Sequence, residues 1–372
     1  MTKTAMESPS QADRLARLRL IRSENVGPRT YRQLLARYGS AAAALEALPD
    51  LARRGGRRGR FLPCPAAAAE AELEAAAALG ATTLGAHEDD YPALLAALDD
   101  PPPFVHVRGR IDVFQRPAVA IVGARNASAA GIRFARRLAG ELGEAGVAVV
   151  SGLARGIDTA AHHGSLASGT IAVFAGGLDA VYPPENADLA EEIAGAGALI
   201  GELPPGTAPQ ARHFPRRNRL IAGLALGVVV VEAALRSGSL ITARLAAEQG
   251  REVFAVPGFP TDPRHAGTNR LLRDGAAFVE GAADVLEALA PMQRQALADR
   301  SPKPIVNQDV TRLEIDQERQ TVQRLLGSAP TEIDEIIRQG KLTPATVMTI
   351  LLELELAGRL DRLTGNRFAL RY

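Results

Sequence analysis

Four loops rich in glycine, serine and arginine have the composition of anion-binding sites. Each of them follows a short apolar run that is typical of a buried strand, or opens the helix after it. Guanidinium groups bind phosphate through paired hydrogen bonds, and free backbone amides at a helix start favour an anion. The candidate binding residues in these loops are Arg125, Ser151, Gly152, Arg155, Gly156, His162, Phe214, Arg216, Arg217, Asn218, Arg219, Ser237, Gly238 and Ser239. They predict a phosphate-binding surface where the loops meet.

The segment "SGLARGIDTAAHHGSL" combines a glycine-rich loop with a helix that opens near Asp158. Amides at such a helix start are expected to face an anion. The adjacent His162 and His163 also suggest a metal site or acid–base chemistry. Adjacent helical residues diverge by about 100° and cannot both face one ion, so no metal is predicted. One histidine, taken as His162, is expected to contact the ligand, and the other to pack.

The segment "HFPRRNRLIAGLA" concentrates three arginines around Asn218 at a helix start, next to Phe214. Guanidiniums bind phosphate and stack on bases, and the neighbouring ring adds a stacking face. Helix capping with intramolecular ion pairs is the alternative role for these arginines. In "RSGSLITA", hydroxyls and amides directly before a helix are a second candidate phosphate cradle.

No segment contains the parts of an enzyme site. The serines lack a predictable histidine–acid partner, and Asp158, Glu202 and Glu232 lie far apart without a motif that pairs them. The loop "VGARNASAAG" lacks the second glycine of the dinucleotide fingerprint, and residues 101–290 contain no lysine for a phosphate loop or a Schiff base. We therefore predict no catalytic residue, cofactor or metal.

Composition indicates a globular intracellular protein. The chain has 372 residues, of which 47% are hydrophobic and 23% charged, and its single Cys64 allows no internal disulfide. No signal peptide is recognisable, so a reducing cytoplasm is expected. The most apolar stretch, Leu220 to Leu235, contains Glu232 and is shorter than the ~20 residues of a membrane span. The net charge is only +1, but residues 1–65 carry 13 basic against 5 acidic side chains.

The elements that position the loops are predicted from periodicity. Six apolar runs, "AVAIVGAR", "VAVVSG", "TIAVFAGG", "ALIGE", "GVVVVEA" and "REVFAVPG", alternate with helical segments. This pattern favours an α/β fold, an extended Rossmann-like doubly wound parallel sheet, over residues 86–290. Residues 1–85 form a small helical domain, similar to a SAM or helix-hairpin-helix unit. Residues 291–316 are predicted as a linker, and 317–372 as a winged-helix domain of three helices and a hairpin.

The sequence does not decide the roles of the two flanking domains. The amides after Gly27-Pro28 suit a phosphate contact or plain packing, and the run "RRGGRRGR" suits DNA or a solvated loop. The third helix of the winged-helix domain, "TPATVMTILLELELAG", has two glutamates and no basic residue. A helix that enters a DNA groove is normally basic. A protein-binding or structural role is therefore favoured for it.

Three segments together resemble the DNA-processing protein A family (DprA, also called Smf). They are "SGLARGIDTAAHHGSL", "FPRRNRLIAGL" and "VVVVEAALRSGSLITARLAAEQGREVFAVPG", and the resemblance spans about residues 118–279. It implies a bacterial cytoplasmic protein of natural transformation that binds single-stranded DNA, displaces single-strand-binding protein and loads the RecA recombinase. It also implies a homodimer formed through the Rossmann-like domain.

The resemblance assigns roles to individual positions. The family has an arginine after the first strand's glycine that lines a basic DNA pocket, and this position is Arg125. Arg155 stands where a lysine is usual and preserves the charge. Some members bind DNA with a lysine after "YP", but Pro184 occupies that position here. We expect Arg216 or Arg217 to make up the missing charge.

The leading hypothesis is a non-enzymatic single-stranded DNA-binding protein in which Arg125, Arg155, Arg217 and Arg219 hold phosphates. Aromatic residues are only 4% of the chain, so backbone charge should dominate and salt should weaken binding steeply. The alternative is a nucleotide-processing hydrolase, because "RSGSLITA" resembles the phosphate loop of Rossmann-like phosphoribohydrolases, with Glu232 or Glu202 as the catalytic acid. A third hypothesis is a duplex-binding regulator that acts through the winged helix.

Overall fold

The structure, a computed structural model, describes residues 10–296, 315–363 and 365–371. The described chain forms two compact units. One unit joins the N-terminal segment up to Ala71 with the C-terminal segment from Ile315, and the other begins at Glu72 and includes the central sheet. No helix in the described part of the chain is both long and apolar enough to cross a membrane.

The N-terminal segment is a helical module, as predicted. Its helices are α1 (Gln11–Arg22), α2 (Pro28–Tyr38), α3 (Ala41–Arg54) and α4 (Ala66–Ala78). Local chemistry sets their boundaries. The hydroxyls of Ser10 and Ser40 accept hydrogen bonds from the first turns of α1 and α3, and Pro28 begins α2, where its missing N–H removes no helical hydrogen bond.

The C-terminal segment has the winged-helix arrangement that its periodicity predicts. It contains α13 (Ile315–Leu325), β10 (Thr331–Glu332), α14 (Ile333–Gly340), α15 (Pro344–Leu356), β11 (Leu360–Leu363) and β12 (Arg367–Leu370). The three strands pair antiparallel in the order β10-β12-β11. Gly365 and Asn366, both with positive φ, lie in the turn between β11 and β12.

The second unit is built on a nine-stranded sheet. Its strands are β1 (Ala81–Gly85), β2 (Phe104–Gly109), β3 (Ala118–Val122), β4 (Ala148–Ser151), β5 (Thr170–Val173), β6 (Ala198–Gly201), β7 (Gly227–Val230), β8 (Glu252–Ala255) and β9 (Ala277–Phe278). They lie in the order β1-β2-β6-β5-β4-β3-β7-β8-β9. In this order, every neighbouring pair from β6 through β3 to β9 is parallel. Strand β2 pairs antiparallel with β6, and β1 pairs antiparallel with β2.

The helices of this unit cover both faces of the sheet. They are α5 (Ala93–Ala96), α6 (Ala129–Glu144), α7 (Ile157–Ser165), α8 (Ala187–Ala196), α9 (His213–Gly223), α10 (Gly238–Glu248), α11 (Ala266–Arg273) and α12 (Ala282–Ala296). Along β3, Ala120 and Val122 belong to the apolar core on one face, and Val119 and Ile121 to the core on the other. The apolar runs are therefore continuous because both faces are buried.

The predicted doubly wound sheet is confirmed, with differences at its margins. All six apolar runs are strands, β3 to β8. The pattern does not predict β1 or β9, because β1 mixes threonine and glycine with few apolar residues and β9 has only two residues. Helix α12 continues to Ala296, inside the segment predicted as a linker, and α13 begins at Ile315. Most of that linker lies outside the described residues.

The strand order places the loops that carry the candidate residues. The chain moves outward from β3 through β4, β5 and β6, and then returns to place β7 on the other side of β3. Such a reversal leaves a crevice at the carboxyl ends of the two diverging strands. The loops after β3, β4 and β7 all open onto this edge, together with the start of α9.

Candidate nucleic-acid interface

The carboxyl edge of the sheet presents a cation beside two aromatic rings. Arg125 follows β3 and is exposed, and its guanidinium carbon lies 5.6 Å from the ring centroid of Phe214, in the first turn of α9. The ring of Tyr182 meets that of Phe214 edge-on, with centroids 5.5 Å apart. Tyr182 is 49% exposed. The three side chains therefore form one surface that combines positive charge with ring faces.

A shallow pocket lies beside this surface. Its lining includes residues at the ends of β4 and β5, the aromatic residues Phe174, Tyr182 and Phe214, and Arg217. The peptide bond between Tyr182 and Pro183 is cis. The pocket thus adjoins the ring pair at the carboxyl ends of β4 and β5.

Arg217 supports this pocket from inside the protein. It is only 7% exposed, and its Nη1 atom donates to the carbonyl oxygens of Gly152 and Val173, the latter at 2.7 Å. Burial lowers the pKa of Arg217 to about 10, since the nearby charge of Asp158 only partly offsets it and that of Arg125 adds to it. Arg217 therefore stays protonated at neutral pH, but it ties two strand ends together rather than reaching a phosphate.

The loop after β4 fills its own anion site. The Oδ2 atom of Asp158 accepts from the backbone N–H of Gly152 at 3.1 Å and of Ala154 at 3.4 Å. Burial, the largest effect, raises the pKa of Asp158, while the charge of Arg217 and these amides oppose the rise. The amide of Gly152, predicted to face a phosphate, is thus occupied by the protein's own carboxyl group.

Three other predicted residues of this segment have structural positions. Ser151 is fully buried and donates to the Ile121 carbonyl at 2.6 Å. His162 is fully buried beside the Thr170 hydroxyl at 2.8 Å, and burial, with the charges of His163 and Arg217, lowers its pKa to about 3. Gly156 has φ +76°, and a Cβ there would lie 2.4 Å from the Ala124 carbonyl oxygen. In this structure Ser151 and His162 cannot touch DNA, because solvent does not reach them.

Two arginines of α9 share one buried carboxylate. Glu202, at the end of β6, receives Nη2 of Arg216 at 2.9 Å and Nη2 of Arg219 at 2.8 Å. Burial alone would raise the pKa of Glu202, but the charges of Arg219 and Arg216 together lower it. Arg219 also donates to the carbonyl of Asp100 and has only 13% of its side chain exposed, while Arg216 keeps 45% exposed. Of the two, only Arg216 retains a surface for a ligand.

Arg155 lies at the surface but is paired. Its guanidinium donates to Glu185, and both side chains are more than half exposed. Glu185 follows Pro184, the position for which the resemblance implies a lysine in some members. A phosphate can therefore replace Glu185 as the partner of Arg155 at little cost in free energy, because the ion pair is solvated.

The start of α10 is capped by hydroxyl groups. Ser237 and Ser239 share a hydrogen bond of 2.7 Å between their Oγ atoms, and Ser237 also accepts from the Ser239 amide. Ser239 is buried and Gly238 is exposed. Asn218 donates to the Gly238 carbonyl at 3.4 Å, so α9 and α10 are joined at this end. Ser237 and Gly238 remain candidate contacts.

The start of α6 is closed by a carboxylate. Glu232, 1% exposed at the end of β7, accepts from the Ser128 amide at 2.9 Å and from the Ser128 hydroxyl at 2.5 Å. Gly131 permits this contact, since a Cβ there would lie 2.5 Å from Oε1 of Glu232. Glu232 thus complements a helix N-terminus, where a negative charge is stabilised.

The site therefore has less free charge than its arginine content indicates. Five predicted guanidiniums face three carboxylates, those of Asp158, Glu185 and Glu202, which leaves a net charge of +2. Arg125 is the one of the five that forms neither an ion pair nor a hydrogen bond with a described residue. No group of three or more histidine, cysteine, aspartate or glutamate residues among the described residues is arranged to hold a metal.

Comparison with known families gives matches along the chain. Residues 82–290 match the family described as DNA recombination-mediator protein A, residues 11–75 match the DprA-like N-terminal HHH domain, and residues 307–366 match the DprA winged helix domain. The chain belongs to the DprA family. The resemblance proposed from its motifs is thus confirmed, as is the helix-hairpin-helix character of the N-terminal module.

Individual relatives extend the family assignment. The chain is 37% identical over 315 residues to Protein Smf of Escherichia coli, which covers 84% of this chain and 83% of that protein. The X-ray structure of DprA from Streptococcus pneumoniae shares 34% identity, with a TM-score of 0.62 over 75% of this chain and 98% of that one. A structure of DprA from Helicobacter pylori, described by its single-stranded DNA binding mode, shares 30% identity, with a TM-score of 0.52 over 57% and 96%.

One residue of the site has no place among the sequence predictions. In the sequence, Tyr182 stands out only as part of the "YP" motif that precedes the position of the missing lysine. The structure turns the ring of Tyr182 toward Phe214. An isolated aromatic between a glycine-rich loop and two prolines is the signal that would have found it, since such a ring is held at the surface with little to bury it.

Proposed function

We propose that this DprA-family chain binds single-stranded DNA at the carboxyl edge of its sheet, with Arg125, Phe214 and Tyr182 at the centre of the site. The observation that carries the proposal is the exposed Arg125 guanidinium, which forms no ion pair with a described residue and lies over the ring of Phe214. The related H. pylori protein, described by its single-stranded DNA binding mode, supports the proposal.

The geometry favours single strands over duplex. A guanidinium can bind the backbone phosphate, while an aromatic ring contributes about 1–3 kcal/mol per base by stacking. Bases of a duplex already stack on each other and do not offer their faces to a protein side chain. The pair of Phe214 and Tyr182 beside the pocket therefore selects strands whose bases are unstacked.

The remaining candidate residues form the margins of the proposed site. Arg155 and Arg216 are exposed enough to turn toward phosphates, and Asn218, Ser237 and Gly238 lie at the joined ends of α9 and α10. Arg217, Arg219, Gly152 and Gly156 shape the loops beneath. Because four of the five guanidiniums are already engaged, this site neutralises few phosphates. We revise the expected salt dependence accordingly, from steep to moderate, with stacking as the part that salt does not weaken.

The cellular role follows the family. As a recombination-mediator protein, the chain is proposed to protect incoming single-stranded DNA during natural transformation, to displace single-strand-binding protein and to load RecA, acting as a homodimer through the sheet domain in the cytoplasm. Faster RecA filament formation on strands coated with single-strand-binding protein, reduced by Arg125→Ala, is the expected result. An unchanged filament rate with the wild-type chain would contradict the loading role.

We propose that the chain acts by binding and not by catalysis. The hydrolase alternative needs Glu202 or Glu232 as a proton donor. Glu202 is held as a carboxylate by two arginines, and Glu232 receives two hydrogen bonds from Ser128. Asp158 fills the loop after β4 and Glu232 fills the start of α6, so two of the candidate phosphate positions are occupied by the protein's own carboxylates. Both candidate acids therefore have structural roles that account for their positions.

The deciding experiment measures binding of labelled single- and double-stranded oligonucleotides across a salt series. The variants are Arg125→Ala and, as a matched control, Arg137→Ala, because Arg137 is also exposed and lies 5.5 Å from a phenylalanine ring, on the outer face of α6. We expect preference for single strands, weaker binding by Arg125→Ala, and a salt slope reduced by about 0.7. Equal losses in both variants, or none in Arg125→Ala, would overturn the proposed site.

A further inference from the structure

Helix α15 of the winged-helix domain is buried on two opposite faces. Its inner face, with Val347, Ile350, Leu351 and Leu354, belongs to the apolar core of that domain. About half a turn away, Thr349, Glu353 and Leu356 form a second stripe at helical spacing, with exposures of 8%, 0% and 0%. An amphipathic surface helix buries one stripe only. The second stripe must therefore have its own partner.

The partner is the N-terminal module, which makes a contact with each of the three residues of the second stripe. Nη1 of Arg37, in α2, lies 3.4 Å from the Thr349 hydroxyl. The Asn25 side chain, between α1 and α2, donates to the Leu356 carbonyl at 3.2 Å. At the end of α3, Gly55 lies so close that a Cβ would be 1.9 Å from the Glu353 carbonyl oxygen. The end of α3 and helix α15 are so close that only glycine fits at position 55.

The chemistry of the stripe suits a protein partner and not a nucleic acid. Helix α15 contains no lysine or arginine, and the Glu353 side chain is fully buried, paired to Arg319 of α13 at 2.6 Å. A helix that approaches phosphates needs positive charge, and a buried carboxylate would repel them. Small, apolar and backbone groups instead match the close approach of another helix.

We propose that the outer face of α15, the face that winged helices commonly turn to duplex DNA, is a protein-docking surface whose dedicated occupant is the N-terminal module of the same chain. Residues 10–71 and the segment from Ile315 thereby fold as one discontinuous unit. The role of the N-terminal module is to complete the winged-helix domain. This inference does not depend on the proposed DNA site, which belongs to the other unit.

The test is hydrogen exchange on the full-length chain, with Gly55→Ala as the disrupting variant. Gly55 has φ −66°, a conformation open to alanine, so the substitution acts through the clash with Glu353 and Ala357 and not through α3 itself. Gly27→Ala in the same module is the control, because nothing lies within 4 Å of its Cβ position. A second variant, Asn25→Gly, keeps the positive φ and removes only the donor to Leu356.

We expect amides of α15 to exchange about tenfold faster or more in Gly55→Ala, severalfold faster in Asn25→Gly, and unchanged in Gly27→Ala. Affinity for single-stranded DNA should stay within twofold in all three variants, which also shows that the sheet unit is folded. Unchanged α15 exchange in Gly55→Ala would overturn the proposal. So would duplex binding gained by that variant, since the uncovered face would then be a nucleic-acid surface.

Discussion

The carboxyl group of Asp158 accepts hydrogen bonds from the amides of Gly152 and Ala154, so the loop after β4 binds an anion that the protein itself provides. The same arrangement recurs at α6, where Glu232 closes the helix start through Ser128. These internal carboxylates take the positions that a nucleotide phosphate occupies in many α/β proteins. The proposed ligand-binding surface therefore lies farther out, at Arg125 and the aromatic pair.

Stacking on Phe214 gives the first prediction. Phe214→Leu keeps an apolar side chain but removes the ring that lies near Arg125 and Tyr182. We expect a loss of about 1–3 kcal/mol in single-strand affinity, little change in the salt slope, and no change in duplex affinity, measured by fluorescence anisotropy. A loss that is largest at low salt and disappears at high salt would show that charge, and not stacking, explains the effect of the ring.

Removing the charge of Glu185 is expected to free Arg155 and to strengthen binding of single-stranded DNA. In Glu185→Gln the exposed partner of Arg155 loses its charge, which raises the net charge of the site from +2 to +3. We expect tighter single-strand binding at low salt, by a few fold, and little change in unfolding free energy because the pair is exposed. Glu191→Gln is the control, since Glu191 forms a similar exposed pair with Arg108 far from the carboxyl edge. Equal gains in both variants would indicate a general charge effect.

His162 makes stability depend on pH. Burial lowers its pKa to about 3 in the folded protein, while an unfolded histidine titrates near 6.5. Below that value the unfolded chain binds a proton that the folded chain does not, so the free energy of unfolding falls as pH falls. From pH 6.5 to 5 the loss is about 2 kcal/mol.

The measurement is urea unfolding between pH 7.5 and 5 for the wild type, His162→Gln and His163→Gln. The pH dependence should be smaller in His162→Gln, although that variant starts from lower stability. His163 is exposed, so His163→Gln should retain the wild-type dependence. Identical pH profiles for the wild type and His162→Gln would contradict the assignment.

Glu232 separates the binding and hydrolase hypotheses. Glu232→Gln removes the charge at the start of α6 and weakens the contact with Ser128, so we expect a loss of about 1–2 kcal/mol in unfolding free energy. We expect no turnover of nucleoside monophosphates by either the wild type or the variant in a product assay. Turnover by the wild type that Glu232→Gln abolishes would support the hydrolase instead.

Local sequence pattern determined the fold to a large extent. Six continuous apolar runs interrupted by helical periodicity require parallel strands buried on both faces, and the three helices before Gly365-Asn366 indicate a winged helix. The motifs around Arg155, Arg217 and Ser237 also placed the site at the carboxyl edge. The short strands β1 and β9 escaped prediction because neighbouring strands, not their own composition, hold them in the sheet.

Only the tertiary structure decided which candidate side chains are free. Arg125, Arg217 and Arg219 are alike in sequence, yet Arg125 is exposed while Arg217 binds two carbonyls and Arg219 is paired with Glu202. The partners come from strands far away along the chain, so periodicity and motif spacing do not reveal them. Residue type predicted a phosphate-binding surface. Long-range burial and pairing determined where that charge, and the ring of Tyr182 beside it, reach the surface.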